Sequence, residues 1–236
     1  MKTLAILMAA GMGTRMRPIT ETKPKPLVKV HGNPMIETII QGLLQRPVDE
    51  IYIVTGYLGE QFDYLPVKYP QVRLIANREY TDKNNISSIY AAREVLRKGN
   101  CFICESDLFV EDASIFQKQL LHSCYYGCMR SGTTDDWVFE QEKGRITRVG
   151  KGGKDVYHMV GVSYFLQEDA ALLADLIEQA AEKPENSQLF WDEVVNANLD
   201  RLDMTVEPVQ EGQIVEIDTV EELKRINEGV GFVTAD

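Results

Sequence analysis

Residues 4–30 read LAILMAAGMGTRMRPITETKPKPLVKV, and this stretch decides the fold. Its first part, residues 4–8, is a continuous apolar run whose length fits one strand buried on both faces of a parallel sheet. The run ends in a turn of small residues at 9–14, which is followed at once by Arg15 and Arg17. Small residues let the backbone approach a ligand, and consecutive backbone N–H groups in such a turn form an anion site. The stretch therefore predicts a strand that leads into a polyphosphate-binding turn.

This turn departs from the common phosphate-binding loops. Met16 stands where a G-x-G-x-x-G loop has its third glycine, and no G-x-x-x-x-G-K-[ST] loop is present. The TKPKPL segment at 22–27 contains two prolines, which stiffen the loop and keep its lysines out of a helix. A rigid loop of this kind holds Lys25 at one place beside the glycine turn.

Length and charge exclude several classes of function. With 236 residues, we expect a single domain over 1–236 that buries a sizeable core. The formal net charge of −11 argues against a nucleic-acid partner, because binding to a phosphate backbone needs clustered Lys and Arg. No window approaches the roughly 18 apolar residues of a membrane span, and the short apolar run near Met1 does not fit a signal peptide. We expect a cytoplasmic monomer or homodimer with no membrane partner.

The four cysteines form a C-x2-C pair, Cys101 and Cys104, and a C-x3-C pair, Cys124 and Cys128. Such spacings superficially suit zinc. However, the CFIC segment is typical of a buried strand, and free cysteine is a common small core residue. We therefore predict that the cysteines pack in the core, with no disulfides, as is usual in the cytoplasm.

The rest of the chain alternates between strand and helix patterns. In the first half, strands are predicted at 50–56, 72–77 and 101–105, and helices at 34–45, 60–65 and 85–97. In the second half, we predict a hairpin at 138–149, a flexible glycine-lysine loop at 150–154, strands at 160–166, 204–209 and 215–217, and helices at 168–182, 187–200 and 219–228. This order indicates an α/β fold with a doubly wound, mostly parallel, mixed sheet and a small inserted hairpin region. In such sheets the ligand lies beyond the carboxyl ends of the strands.

Acidic residues follow two of the predicted strands. Asp107 ends the CESD segment, and Glu216 and Asp218 alternate in EID, so that their side chains point to the same side. Two carboxylates that meet over a triphosphate suit Mg²⁺, which takes few protein oxygens. Asp218 has a second interpretation as a helix N-cap with Glu221 three residues later.

The G-x-G-T-R turn followed by K-P-K-P-L resembles the signature of nucleotidyltransferases that join nucleoside triphosphates to sugar phosphates or phosphocholine. Within that group, the NNISS segment at 84–88, the pair Trp191 and Asp192, and EID at 216–218 resemble the bacterial CTP:phosphocholine cytidylyltransferases. This resemblance implies a Rossmann-like nucleotidyltransferase fold, CTP and phosphocholine as substrates, and CDP-choline and pyrophosphate as products. It also implies Mg²⁺ as cofactor, with Asp107 and Asp218 as the metal-binding acids.

We expect catalysis by positioning and charge neutralisation rather than by a general base. A phosphomonoester has its second pKa at about 6 and is largely ionised at neutral pH, and the three histidines are scattered. The catalytic candidates are Lys25 near the α-phosphate, Arg15 on the β and γ phosphates, and Asp107. The full set of nucleotide-binding candidates is Ala9, Ala10, Gly11, Met12, Gly13, Thr14, Arg15, Lys25, and, for the base or ribose, Asn85, Ser87 and Ser88.

Both tryptophans have acidic neighbours, and this pattern favours choline. A quaternary ammonium group has no N–H to donate and is bound by aromatic faces and nearby carboxylates. The substrate-binding candidates are Asp107, Asp136, Trp137, Trp191, Asp192 and Glu216. The alternatives are that both tryptophans pack in the core, that the acceptor is 2-aminoethylphosphonate or a sugar-1-phosphate, or that the chain is a catalytically silent nucleotide-binding regulator.

Overall fold

The computed structural model describes residues 2–229. In chain order its strands are β1 (Thr3–Ala9), β2 (Lys29–Val30), β3 (Asn33–Pro34), β4 (Glu50–Thr55), β5 (Val72–Ala76), β6 (Asn100–Glu105), β7 (Leu108–Val110), β8 (Ser123–Glu142), β9 (Arg145–Phe165), β10 (Met204–Val209) and β11 (Ile214–Glu216). Its helices are α1 (Met35–Leu44), α2 (Leu65–Lys68), α3 (Ile86–Leu96), α4 (Gln167–Ala181), α5 (Trp191–Asn196) and α6 (Val220–Asn227). None of these helices is long and apolar enough to cross a membrane.

One mixed sheet of seven strands, in the order β10-β8-β9-β6-β1-β4-β5, forms the centre of the fold. The strands β6, β1, β4 and β5 run parallel to one another, and β10 runs parallel to β8, whereas β9 runs antiparallel to both β6 and β8. This confirms the predicted α/β class with a mostly parallel, mixed sheet.

Alternate residues of β1 supply two hydrophobic cores, one on each face of the sheet. Leu7 packs with residues of α1 on one face, and Ile6 packs with residues of α3 and α4 on the other. Because β1 is buried on both sides, it reads as a continuous apolar run. The parallel register places Met8 beside Glu105 on one side and Val54 on the other, so that the carboxyl ends of three strands meet at one edge.

The predicted small hairpin is in fact a pair of long strands. Its turn lies at Lys143 and Gly144, as predicted, but β8 and β9 extend far beyond residues 138–149 and join the main sheet. The glycine-lysine segment at 150–154, predicted as a flexible loop, belongs to β9, where Lys151 pairs with Trp137 and Lys154 with Thr133. Cross-strand pairing stabilises this segment despite the low strand propensity of glycine.

The remaining helices and the cysteines follow the sequence with two differences. The helix predicted at 187–200 is confirmed only for Trp191–Asn196, and the one at 60–65 is a 3-10 turn, Gly59–Phe62, that precedes α2. All four cysteines are free and buried, as predicted.

The short strand β11 brings the end of the described chain to the edge of the main sheet. It pairs antiparallel with β7, which places Glu216 opposite Leu108, and the backbone N–H of Ile217 donates to the carbonyl of Asp107 at 3.2 Å. Thr219, rather than Asp218, is the N-cap residue of α6, and it forms a capping box with Glu222. The interpretation of Asp218 as a helix cap is therefore wrong, and its carboxylate is available for other contacts.

Candidate active site

The glycine turn packs tightly against the loop that carries Lys25. Gly13 has φ +59°, in the left-handed region, and a Cβ at this position would lie 2.8 Å from Cβ of Lys25. The hydroxyl of Thr20 donates to the carbonyl of Gly13 at 2.8 Å and fixes the end of the turn. Glycine is therefore required here by both the backbone conformation and the close approach of Lys25.

The turn and the Lys25 loop enclose a cleft of about 280 Å³ beyond the carboxyl end of β1. Six of the predicted nucleotide-binding residues line it: Ala9, Gly11, Gly13, Thr14, Arg15 and Lys25. Asp107 lines it as well. Ala10 is instead buried, and Met12 is exposed outside the cleft lining.

Lys25 is the electrostatic centre of this cleft. Its side chain is only 8% exposed, and its Nζ donates to Oδ2 of Asp107 at 2.7 Å and to Oδ1 of Asp218 at 2.6 Å. Burial lowers the pKa of Lys25, but the attraction and hydrogen bonds of the two aspartates outweigh burial, so the net effect raises it. Arg15, which is largely exposed, pairs with the other oxygen of Asp218 at 2.6 Å.

A second group of acids extends the cluster. Oxygen atoms of Glu105, Asp107 and Glu216 lie within 4.8 Å of one another. Burial, followed by the charge of Asp107, raises the pKa of both Glu105 and Glu216. The pKa of Glu216 rises to about 8, although much of its side chain faces solvent. Glu105 is a member of this cluster that was not predicted from the sequence. The signal was present, because Glu105 and Asp107 alternate at the end of β6 as Glu216 and Asp218 do after β11.

The donor set of this site fits a divalent cation. Carboxylate oxygens of Glu105, Asp107 and Glu216 lie close together, and Asp218 joins them through Lys25, which contacts both aspartates. Oδ1 of Asp107 is buried and has no hydrogen-bond partner within the described part of the chain. Clustered carboxylate oxygens are the ligands that Mg²⁺ prefers.

The predicted contacts to the base or ribose occupy a different environment. Asn85 precedes α3, and its Oδ1 accepts a hydrogen bond from the backbone N–H of Trp191 at 2.9 Å. The hydroxyls of Ser87 and Ser88 are buried and accept from Nδ2 of Asn77 at 2.9 and 3.2 Å. None of the three predicted residues is among those that line the cleft.

The structure does not assemble the expected aromatic cage. Trp137 packs edge-on against Phe190 with ring centroids 5.5 Å apart, and the Nζ of Lys151 lies 5.9 Å from the centre of the Trp137 ring. Asp136 pairs with Arg130 at 3.1 Å. The ring face and the carboxylate that were expected to bind an ammonium ligand thus already have cationic partners from the protein itself.

Trp191 is a core residue, which corrects the expectation of an open aromatic wall. It is 3% exposed, stacks on Tyr125 at 5.8 Å between centroids, and contacts Phe165. Asp192 is also buried and accepts from the hydroxyl of Tyr125 at 3.0 Å. Burial raises the pKa of Asp192 to about 7, and the Tyr125 hydrogen bond opposes this effect. Both residues line a second, much smaller cavity, which also contains Glu105.

Comparison with known families agrees with this geometry. Residues 4–127, more than half of the chain, match the family described as "Nucleotidyl transferase". This range contains the glycine turn, Lys25 and Asp107, whereas β11 and Asp218 lie outside it.

Individual relatives are similar over nearly the whole chain. The 2-aminoethylphosphonate cytidylyltransferase of Lancefieldella rimae is 52% identical, covering 98% of this chain and 95% of that protein. The choline-phosphate cytidylyltransferase of Streptococcus pneumoniae is 35% identical, covering 95% and 96%. The solved structure of a CTP:phosphocholine cytidylyltransferase from Streptococcus pneumoniae superimposes with a TM-score of 0.89 at 33% identity, covering 98% of this chain and 100% of that one. All three of these relatives are cytidylyltransferases; the one with 52% identity is named for 2-aminoethylphosphonate, and the other two are named for choline phosphate.

Proposed function

The chain belongs to the nucleotidyl transferase family, and we propose that it is a cytidylyltransferase that transfers CMP from CTP to 2-aminoethylphosphonate. The observation that carries this proposal is the convergence, at one edge of the sheet, of the glycine turn, Lys25 and two aspartates. The turn supplies backbone donors for phosphates, and the carboxylates supply ligands for a cation that accompanies them. The choice of acceptor rests on the relative with 52% identity.

The reaction needs no protein base. An ionised phosphonate oxygen attacks the α-phosphorus of CTP, so that a new P–O bond joins the acceptor to CMP. The bond between the α-phosphorus and the β-phosphate oxygen breaks, and pyrophosphate leaves with the bonding electrons. None of the described histidines lines the cleft, in agreement with this mechanism.

The residues of the cleft position and neutralise the triphosphate. Lys25, whose Nζ lies in the cleft between Asp107 and Asp218, binds the α-phosphate and neutralises the charge that develops on it. Arg15, exposed at the rim, binds the β and γ phosphates and follows them as they become pyrophosphate. Asp107 and Asp218 are the residues that would hold Mg²⁺, which would neutralise phosphate charge at this place.

The test is pyrophosphate release with and without Mg²⁺. CTP, UTP, dTTP and ATP are each combined with 2-aminoethylphosphonate, phosphocholine and glucose-1-phosphate. We expect the highest kcat/KM for CTP with 2-aminoethylphosphonate, and loss of turnover when Mg²⁺ is removed by a chelator. Preference for phosphocholine or for the sugar phosphate would assign the acceptor differently, and nucleotide binding without pyrophosphate release would indicate a silent regulator.

A further inference from the structure

The segment that joins the glycine turn to Lys25 is built from short turns. Residues 13–27 contain three 3-10 turns, Thr14–Met16, Ile19–Glu21 and Lys25–Leu27. The backbone hydrogen bonds of these turns join residues three positions apart. Contacts of this kind fix the local shape of a segment but not its position relative to the sheet. The placement of the turn against Lys25 therefore depends on contacts from other elements.

The loop at residues 56–61, which follows β4, supplies such contacts. Because β4 pairs in parallel with both β1 and β5, the start of this loop is firmly anchored. At Gly56 the loop passes so close to the glycine turn that an added Cβ would lie 2.8 Å from the carbonyl oxygen of Ala10. The backbone N–H of Tyr57 donates to the same carbonyl at 3.1 Å. The loop after β4 is thus in direct contact with the first part of the glycine turn.

Side chains of the same loop bind the segment that leads to Lys25. The hydroxyl of Tyr57 has one proton to donate, and the carbonyls of Thr20 and Glu21 accept it at 2.9 and 3.2 Å. Nε2 of Gln61 donates to the carbonyl of the next residue, Thr22, at 2.8 Å. Three consecutive backbone carbonyls are therefore held from the loop after β4.

Thr20 transmits these contacts to the glycine turn. Its side chain is buried, and its hydroxyl donates to the carbonyl of Gly13 at 2.8 Å. A Cβ on Gly13 would lie 3.2 Å from Cγ2 of Thr20 and 2.8 Å from Cβ of Lys25. Because the three residues pack against one another at this point, a displacement of Thr20 changes the spacing between the turn and the lysine.

The backbone of the loop after β4 is constrained between the two tethering side chains. Leu58 has φ +48° and ψ +39°, in the left-handed region, which is uncommon for a residue with a bulky side chain. Such conformations persist where the surrounding structure determines them, and they cluster at functional sites. The bend at Leu58 brings Tyr57 and Gln61 to neighbouring carbonyls of one segment.

We propose that Tyr57 is a positioning residue for the triphosphate, and that it acts through Thr20 to hold the glycine turn at a fixed spacing from Lys25. Tyr57 lies outside the lining of the cleft, so it does not touch the nucleotide itself. The proposal rests on the proposed function, because it concerns the CTP half of that site. It assigns a task to a residue that neither the sequence pattern nor the cleft identifies.

The experiment measures CTP binding separately from turnover. The dissociation constant of CTP, with Mg²⁺ and without acceptor, is determined by isothermal titration calorimetry. Tyr57→Phe removes only the hydroxyl, and it should raise this constant by about 10-fold. KM for 2-aminoethylphosphonate at saturating CTP should change by less than about 2-fold, because the acceptor does not depend on the turn. A residue that served folding alone would weaken both substrates together.

A matched control and a second variant sharpen the test. Tyr52→Phe is the control, because Tyr52 is also half-buried, lies in β4 and donates its hydroxyl to Oε2 of Glu50 at 3.1 Å. It should leave the dissociation constant of CTP within about 2-fold of the wild-type value. Thr20→Val removes the hydrogen bond to Gly13 with little change in shape. In that background Tyr57→Phe should raise the constant by less than about 3-fold, since residues that act in series are not additive.

Three outcomes would overturn the positioning role. One is an equal CTP affinity in Tyr57→Phe and Tyr52→Phe. Another is an equal effect of Tyr57→Phe in the wild-type and Thr20→Val backgrounds. The last is an equal loss of affinity for CTP and for the acceptor. Absence of transfer to every acceptor, with the CTP dissociation constants in the expected order, would instead contradict the proposed function and support the role of Tyr57.

Discussion

Replacement of Lys25 by methionine tests whether its ammonium group occupies the place of the metal cation. Lys25→Met keeps an unbranched side chain of similar length but removes both hydrogen bonds, at 2.7 Å to Asp107 and 2.6 Å to Asp218. Removing one partner of a buried ion pair costs about 3–5 kcal/mol. Because the two aspartate side chains are 24% and 19% exposed, water compensates part of this loss, and we expect destabilisation of about 2 kcal/mol.

The same substitution should have opposite effects on turnover and on metal binding. Turnover should fall about 10²–10³-fold, the usual effect of removing one donor that stabilises transition-state charge. The dissociation constant for Mn²⁺ in the absence of nucleotide should instead decrease by about 10-fold or more, because the cation no longer has to displace an ammonium group from two carboxylates. Mg²⁺ should also raise the melting temperature more in the variant than in the wild type.

Mn²⁺ binding is measured by electron paramagnetic resonance, and unfolding by denaturant titration. Lys23→Met is the control, because Lys23 is exposed, lies in the same loop and forms no ion pair with the described residues. It removes the same charge without touching the aspartates. If Mn²⁺ binds to Lys25→Met no more tightly than to Lys23→Met, the assignment of Asp107 and Asp218 as shared ligands of lysine and metal is refuted.

Four further substitutions, of which Gly11→Ala is a control, test other parts of the structure. Gly13→Ala forces an alanine to φ +59°, with its Cβ 2.8 Å from Cβ of Lys25. This variant should lower the free energy of unfolding by about 1–3 kcal/mol and raise KM for CTP. Gly11→Ala is the control, because no atom lies within 4 Å of the added Cβ, and it should change the free energy of unfolding by less than about 0.5 kcal/mol. Asp107→Asn should reduce Mg²⁺-dependent pyrophosphate release at least about 100-fold, and near wild-type turnover would exclude Asp107 from the metal site. Burial raises the pKa of folded Asp192 from 3.8 to about 7, so the native protein binds more protons than the unfolded chain between these values. Its contribution to the free energy of unfolding, at most about 4 kcal/mol, should therefore be lost as the pH rises from about 4 to about 7. In Asp192→Asn this part of the pH dependence should disappear when unfolding is measured by denaturant titration at several pH values. An unchanged pH profile would contradict the raised pKa of Asp192.

The part of the fold that follows from local pattern was predictable from the sequence. The run at residues 4–8 is buried on both faces, and this property alone predicts a parallel strand at the centre of a sheet. The long strands β8 and β9 were not predictable in the same way, because residues 150–154 contain glycine and lysine and adopt strand geometry only through pairing with a distant segment. Tertiary pairing overrides local propensity at such positions.

The same distinction between local sequence pattern and tertiary packing applies to the residues of the candidate site. Lys25 and Asp107 were identified because a rigid proline loop and a strand end fix their positions, and the structure places them 2.7 Å apart. Trp191 was misinterpreted because sequence spacing does not separate an open aromatic face from a ring that stacks in the core. Glu105 was missed although it alternates with Asp107 in the sequence, because this spacing does not show that its carboxylate lies close to that of the distant Glu216.

The three-residue strand β11 also determines when the site is completed during synthesis. Asp218 follows Lys25 by 193 residues, and the pairing of β11 with β7 and the backbone contact of Ile217 bring it to the cleft. A ribosome that has released the chain only as far as β10 has therefore produced the glycine turn, Lys25 and Asp107, but not the second carboxylate that balances the lysine. The carboxylate that completes the pair around Lys25 is therefore among the last parts of the site to be synthesised, and a chain that stops before β11 lacks it.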